Sequence, residues 1–209
     1  MAAPRLVNYY NNKLVSGGTW VSKGMYSGHV PKTDDKKIVE IPYMGAGMIR
    51  RSVIEKFGYL FDKDYFIYAE DLDLGLRIRL LGMKTIQING ALNFHMHSMT
   101  MKKFSTRYKN TFLLERNLLT TLFKIFSIPT IVKLLVYAML LRVLIISKDI
   151  LTLNFKSAVA RISAIISVII NLGKTLGKRK KLQALRKVND DYILKIFTEK
   201  YLFRKPFNV

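Results

Sequence analysis

Residues 65–82, YFIYAEDLDLGLRIRLLG, place three acids within four positions and follow them with an apolar pattern that suits a buried helix. Leu74, Ile78 and Leu81 recur at helical spacing, and Leu72, Leu76 and Leu80 form an adjoining row. Glu70, Asp71 and Asp73 therefore fall in the first turn, where exposed backbone N–H groups and the helix dipole favour carboxylates. Gly82 supplies the C-terminal stop. The spacing admits two readings. Asp73 stands four residues before Arg77 and can be an ordinary intrahelical ion pair. Alternatively, the aromatic run Tyr65, Phe66, Tyr68 delivers the chain to a carboxylate at a loop-to-helix junction, where a general base can face a cleft.

The flanking chain reads as alternating strands and helices. Leu6–Tyr10 and Lys13–Ser16 flank Asn11-Asn12, a pair that tolerates a tight hairpin. A glycine-containing, charged loop leads to a short strand at Ile38–Ile41. Gly45-Ala46-Gly47 then allows a close backbone turn beside a ligand. Ser52 can cap a short helix, Val53–Phe57, that Gly58 ends. Beyond Gly82, Lys84–Asn89 alternates as a strand. His95 and His97 follow two residues apart, so in extended chain both project to one side, which suits a shared metal or plain surface histidines. Helical patterning runs from near Lys102 to about Phe126.

These residues, taken in order, resemble a known pattern. Ser16-Gly17-Gly18, the Gly45–Arg51 segment, Phe61-Asp62, Tyr68–Leu74 with Arg77, Phe94-His95, and Tyr108 with Arg116-Asn117 resemble the C-terminal half of family 2 glycosyltransferases of the GT-A fold, rhamnosyltransferase-like members that build surface polysaccharides and glycolipids. The resemblance covers about residues 3–126, and weakly the rest. It implies an α/β fold: a partial, Rossmann-like GT-A domain over 1–100, a connecting helix over 101–126, and a basic, amphipathic helical region over 127–209. It further implies inverting transfer from a nucleotide-sugar to a glycan or lipid-linked acceptor. Asp71 would be the general base, with Glu70 and Asp73 holding the helix start and the acceptor. Gly45, Ala46 and Gly47 would border the sugars, and Arg116 would approach the diphosphate. His95, with His97 as the alternative, would help bind a divalent metal, Mg or Mn, in the complete enzyme.

Such enzymes carry a nucleotide-binding half with an Asp-x-Asp metal pair ahead of the matched region. Residues 1–60 contain no Asp-x-Asp, and Asp71-Leu72-Asp73 belongs to the acceptor motif. The expectation is a truncated frame or one half of a split enzyme whose partner supplies nucleotide binding. The competing expectation is a non-catalytic, membrane-associated interaction module.

Charge decides the partner of the second half. Net charge is +21 overall, but residues 101–209 hold 22 Lys and Arg against 5 Asp and Glu, whereas residues 1–100 hold 13 against 9. That surplus calls for an anionic surface. Long Ile/Leu runs without a reader module disfavour nucleic acid. Residues 128–146 reach about 28 Å as a helix, barely a bilayer core, and Lys133 and Arg142 would have to snorkel to opposite faces. Over 156–181, Lys156, Ser163, Ser167, Asn171, Lys174, Lys178 and Lys181 form one polar line of an otherwise Ile-rich helix, the pattern of an interfacial helix. Lys178–Lys181 and Arg186-Lys187 add a polybasic cluster. The expected location is the cytoplasmic face of the cell membrane, peripherally attached, with a span at 128–146 as the variant. A last helix, capped near Asn189 or Asp190, runs to about Lys200. MAAPRLVNYY lacks the apolar stretch of a secretory signal, and with no cysteine the chain has no disulfides.

Overall fold

The computed structural model describes residues 1–30, 32, 34–96 and 106–202. It is a mixed α/β structure. Strand β1 (Ala2–Asn8) pairs antiparallel with β2 (Leu14–Ser16) and parallel with β6 (Thr85–His95), which in turn pairs antiparallel with β5 (Ile38–Ile41). The sheet order is β2-β1-β6-β5, and a separate ribbon pairs β3 (Thr19–Val21) with β4 (Ser27–His29). Register shifts interrupt β1 after Pro4 and after Leu6, so the sheet bends where β1 meets its neighbours. Strand β6 continues past the expected Asn89 to His95 because β1 supplies a parallel partner along that stretch.

Helix α1 (Arg51–Phe57) ends at Gly58 in the left-handed conformation, as its sequence predicts, although its N-cap is Arg50 and Ser52 lies inside. Helix α2 (Glu70–Leu80) is the centre of the molecule, with every residue from Leu72 to Leu80 buried. Polar groups on so buried a helix need partners. Arg79 pairs with Glu40, donates to the carbonyls of Tyr192 and Ile193, and lies over the Tyr192 ring. This ties α2 to β5 and to the short closing helix α7 (Asp190–Leu194), which Asn189 caps through the Tyr192 amide. Gly75 faces the preceding segment so closely that a Cβ there would come within 2.2 Å of the Pro42 carbonyl oxygen.

The helical half packs on this centre without a break in the core. Helix α3 (Arg107–Ile125) lies against α2, and Leu118, Leu122, Ile125, Ile131, Leu182 and Ile193 share one apolar cluster with Leu72, Leu76 and Leu80. The part of the expected helix before residue 106 lies outside the described residues. Helix α4 (Ile128–Leu151) is long and apolar enough to cross a membrane, and 28% of its apolar window is buried against the rest of the chain.

Two features of this half depart from its sequence pattern. Arg142 does not snorkel, as a span would require. It is buried, pairs with Glu115 at 2.9 Å, donates to the Gly24 carbonyl at 3.0 Å, and lies over the Tyr26 ring. Nor is 156–181 one continuous helix: α5 (Phe155–Ile170) and α6 (Leu172–Gln183) meet at a 65° bend around Asn171. The buried face of α5 consists of Ser157, Ala158, Ala160, Ala164 and Val168, which let it approach α3 closely, while Val159, Ile162, Ile166, Ile169 and Ile170 point outward.

A buried ion network joins the two halves. Lys124 of α3 sits 2.8 Å from Asp62 and 2.7 Å from Asp73, and Asp73 also accepts from Arg77 at 2.8 Å. Burial alone would raise the pKa of Asp62 and lower that of Lys124. The opposite charges outweigh burial at both groups, holding Asp62 well below and Lys124 well above their usual ranges. Replacing Lys124 with Met leaves two facing carboxylates without their shared cation and should cost about 3–5 kcal/mol in chemical denaturation. A loss below about 1 kcal/mol would mean that the network adds nothing to the fold.

Candidate active site

The backbone that leads into α2 is unusual. Phe66, Tyr68 and Ala69 have φ of 62°, 69° and 60°, the left-handed region that side chains with a Cβ seldom occupy. Such conformations cost about 1–3 kcal/mol each and persist only where the surroundings impose them. Here α3 imposes them. The Asn117 side-chain amide, fully buried, donates to the carbonyls of Tyr65 (3.1 Å), Ile67 (2.9 Å) and Tyr68 (2.7 Å). Its oxygen accepts from Arg116, whose guanidinium also donates to the carbonyls of Asp64 (2.7 Å) and Tyr65 (3.3 Å). The Tyr65 hydroxyl, deep in the core, meets Thr121 at 2.8 Å. One residue pair on α3 therefore sets the loop that presents the acids.

The three acids diverge once α2 begins. Asp73 is fully buried in the ion network with Arg77 and Lys124, so the residue expected at the acceptor serves the interior of the fold. Asp71 is half-buried as a residue, accepts from the Leu72 amide at 2.7 Å, and has its other oxygen facing Gly45. A Cβ on Gly45 would lie 3.9 Å from that oxygen and 4.0 Å from Leu6 of β1. Burial, then the adjacent charge of Glu70, pushes the Asp71 carboxyl up to about 7. Glu70 is itself raised by burial, and its Oε2 is buried with no hydrogen-bond partner. Tyr43 is raised by burial and by the nearby charge of Asp71.

The glycine-containing segment is held against both walls of this corner. The Ala2 and Met48 backbones exchange hydrogen bonds of 2.9 and 2.8 Å. At Gly47, φ is 152° and a Cβ would come within 2.2 Å of the Ala2 carbonyl oxygen, so only glycine fits. Ala46 lies between the two glycines. On the other side, the close approach at Gly75 seats Pro42 and Tyr43 on α2. Sequence reasoning did not single out Gly75, because a glycine inside a helix pattern reads only as a small propensity loss.

His95 ends β6 at an exposed position, in register with Asn8 of β1. His97 lies outside the described residues. Among the described residues no three His, Asp or Glu side chains come together as a metal site, and His95 offers a single donor.

Searched against models of known protein families and against curated proteins, the sequence matches none.

The raised carboxyl of Asp71 has a consequence for stability. A carboxyl whose pKa is about 7 when folded and 3.8 when unfolded favours folding below pH 4 and loses that contribution as pH rises to 7. Asp71→Asn removes the titration. Denaturation should show the variant gaining on the wild type between pH 4 and 7, on the order of 2 kcal/mol after allowing for partial solvent access, with no further change above. A gap that stays constant with pH would contradict the assigned burial.

Proposed function

We propose that this chain is the acceptor-side part of an inverting, rhamnosyltransferase-like family 2 glycosyltransferase of the GT-A fold, attached to the cytoplasmic face of the membrane. The single observation that carries the reading is Asp71: a carboxyl near pKa 7, on a half-buried residue at a rigidly set loop-to-helix junction beside a glycine. A base works best when its pKa lies near the working pH. In the proposed reaction the acceptor hydroxyl gives its proton to Asp71 as its oxygen bonds to the anomeric carbon, and the bond from that carbon to the nucleoside diphosphate breaks with inversion. Glu70 keeps the site acidic, and the Asn117–Arg116 pair holds the base in position. Leaving-group stabilisation, including any Mg or Mn, belongs to the complete enzyme with a nucleotide-binding half. The chain's own residues account for the base side of the reaction.

Membrane attachment rests on the exposed apolar faces. Val132, Val136, Leu140 and Val143 form one outward stripe of α4, and Val159, Ile162, Ile166 and Ile169 one of α5. The buried Arg142 and the close packing of α4 and α5 favour a hairpin lying in the interface over a span. Exposed Lys180, Lys181 and Lys187 supply attraction to anionic headgroups, whereas Lys178, Arg179 and Arg186 bond within the protein.

In the complete enzyme, Asp71→Asn should lower transfer of labelled sugar to lipid-extractable acceptor by about a hundredfold or more while nucleotide-sugar binding changes little. Unchanged turnover removes the base assignment and leaves the non-catalytic membrane module as the better reading. Val136→Asp combined with Ile166→Asp should release the chain from anionic vesicles in flotation at fixed salt. Retention of that variant would argue against the apolar faces as the contact.

A further inference from the structure

A groove lies on the far side of α2 from Asp71. Side chains two residues apart on a helix point roughly 200° from each other, and Asp73, two residues after Asp71, points toward Lys124 and Asp62. Behind Asp62, the loop after α1 and helix α6 enclose a groove of about 640 Å³. That is the size of ordinary small-molecule sites.

The walls of the groove are apolar. Phe57 and Leu182 are buried, Tyr59 and Leu185 are half-buried, and Phe61 stands exposed. Its charged lining is mostly cationic. Lys56, Lys63 and Lys181 line it, and none makes an ion pair among the described residues. Of the two acids in the lining, Asp62 is held by Lys124 and Lys178, and Glu55 forms an exposed ion pair with Arg51 at 2.9 Å. Desolvated apolar walls beside uncompensated ammonium groups match a ligand with a hydrocarbon part and an anionic head. A free phosphate would leave the walls unfilled, and a sugar would bring hydroxyls to a surface with few acceptors.

The geometry points to a binding site for a phosphate-headed amphiphile, a lipid phosphate whose head meets Lys56, Lys63 and Lys181 and whose tail lies along Phe57, Phe61, Leu182 and Leu185. A bilayer phospholipid or a phosphorylated prenol offers this chemistry. Helix α6 follows the Ile-faced helix α5 across a 65° bend, so one wall of the groove is carried by the helical half expected to meet lipid. The inference does not depend on the transferase reading, because Asp71, Glu70 and the Gly45–Gly47 turn are not among the residues that line the groove.

The test uses the full chain on phosphatidylcholine vesicles, irradiated with a diazirine-tailed farnesyl phosphate and mapped by mass spectrometry. Crosslinks are expected at residues 57–61 and 182–185. Excess farnesyl phosphate or dioctanoyl phosphatidic acid should remove them, the stronger competitor identifying a phosphoprenol or a phospholipid, while inorganic phosphate, farnesol and a nucleoside diphosphate should not. The exposed double variant Lys63→Glu/Lys181→Glu should fold with an unchanged melting temperature and lose labelling by about thirtyfold. Should that variant melt early, Lys56→Gln/Lys63→Gln is expected to lose labelling in the same direction. Labelling confined to α4 and α5, competition by phosphate or nucleotide alone, or full labelling of a folded variant would overturn the site. Any of these results would leave Asp71→Asn and its effect on transfer untouched.

Discussion

One amide nitrogen fixes the geometry on which the rest of this structure depends. The Asn117 side chain has two N–H protons and three carbonyl acceptors, so at least one proton is shared. That fork bends residues 65–69 through three left-handed conformations, which the residues concerned would not adopt alone. Every downstream feature inherits the bend. Helix α2 starts where it does, its first acids emerge at set angles, and Asp71 is directed to the glycine segment while Asp73 is directed to the core.

The division of labour among the acids follows from what each one meets. Asp73 finds two cations and becomes a structural anion. Asp71 finds a glycine, burial and a neighbouring carboxylate, and its charge is disfavoured. Two acids a single residue apart on one helix thus have opposite electrostatic surroundings, the arrangement that separates acid–base work from scaffolding. The cations of the helical half divide in a similar way. Lys124, Arg142, Lys174 and Lys178 are paired within the fold, and exposed lysines such as Lys180, Lys181 and Lys187 give the outer surface its positive field.

The sequence pattern of α2 was legible because its acids, apolar rows and terminal glycine agree, and α1 with Gly58 and strand β5 were legible for the same reason. Long-range partners were not. Nothing near Arg142 announces that Glu115 and the Gly24 carbonyl will bury it, and Lys133 on the same helix stays exposed. The 3.6-residue pattern of α5 shows that one face differs from another. It does not reveal that the small residues pack inward and the isoleucines outward, since that depends on how closely α3 approaches. The bend at Asn171 has no proline or glycine immediately before it to mark it. At the site, the sequence pointed to Asp71 and Glu70 and to the Gly45–Gly47 turn, and it included Arg116-Asn117 without revealing that this pair clamps the loop. Gly75 was invisible because its requirement comes from a backbone that arrives from another part of the chain.

The central claim is that the fold sets the Asp71 carboxyl apart from ordinary surface acids. Carbon-13 NMR of the labelled aspartate carboxyls, titrated in the wild type and in Asp71→Asn, tests it directly. The account predicts one resonance with a midpoint near pH 7 that vanishes in the variant. A wild-type spectrum in which every aspartate titrates below about pH 5 would contradict it.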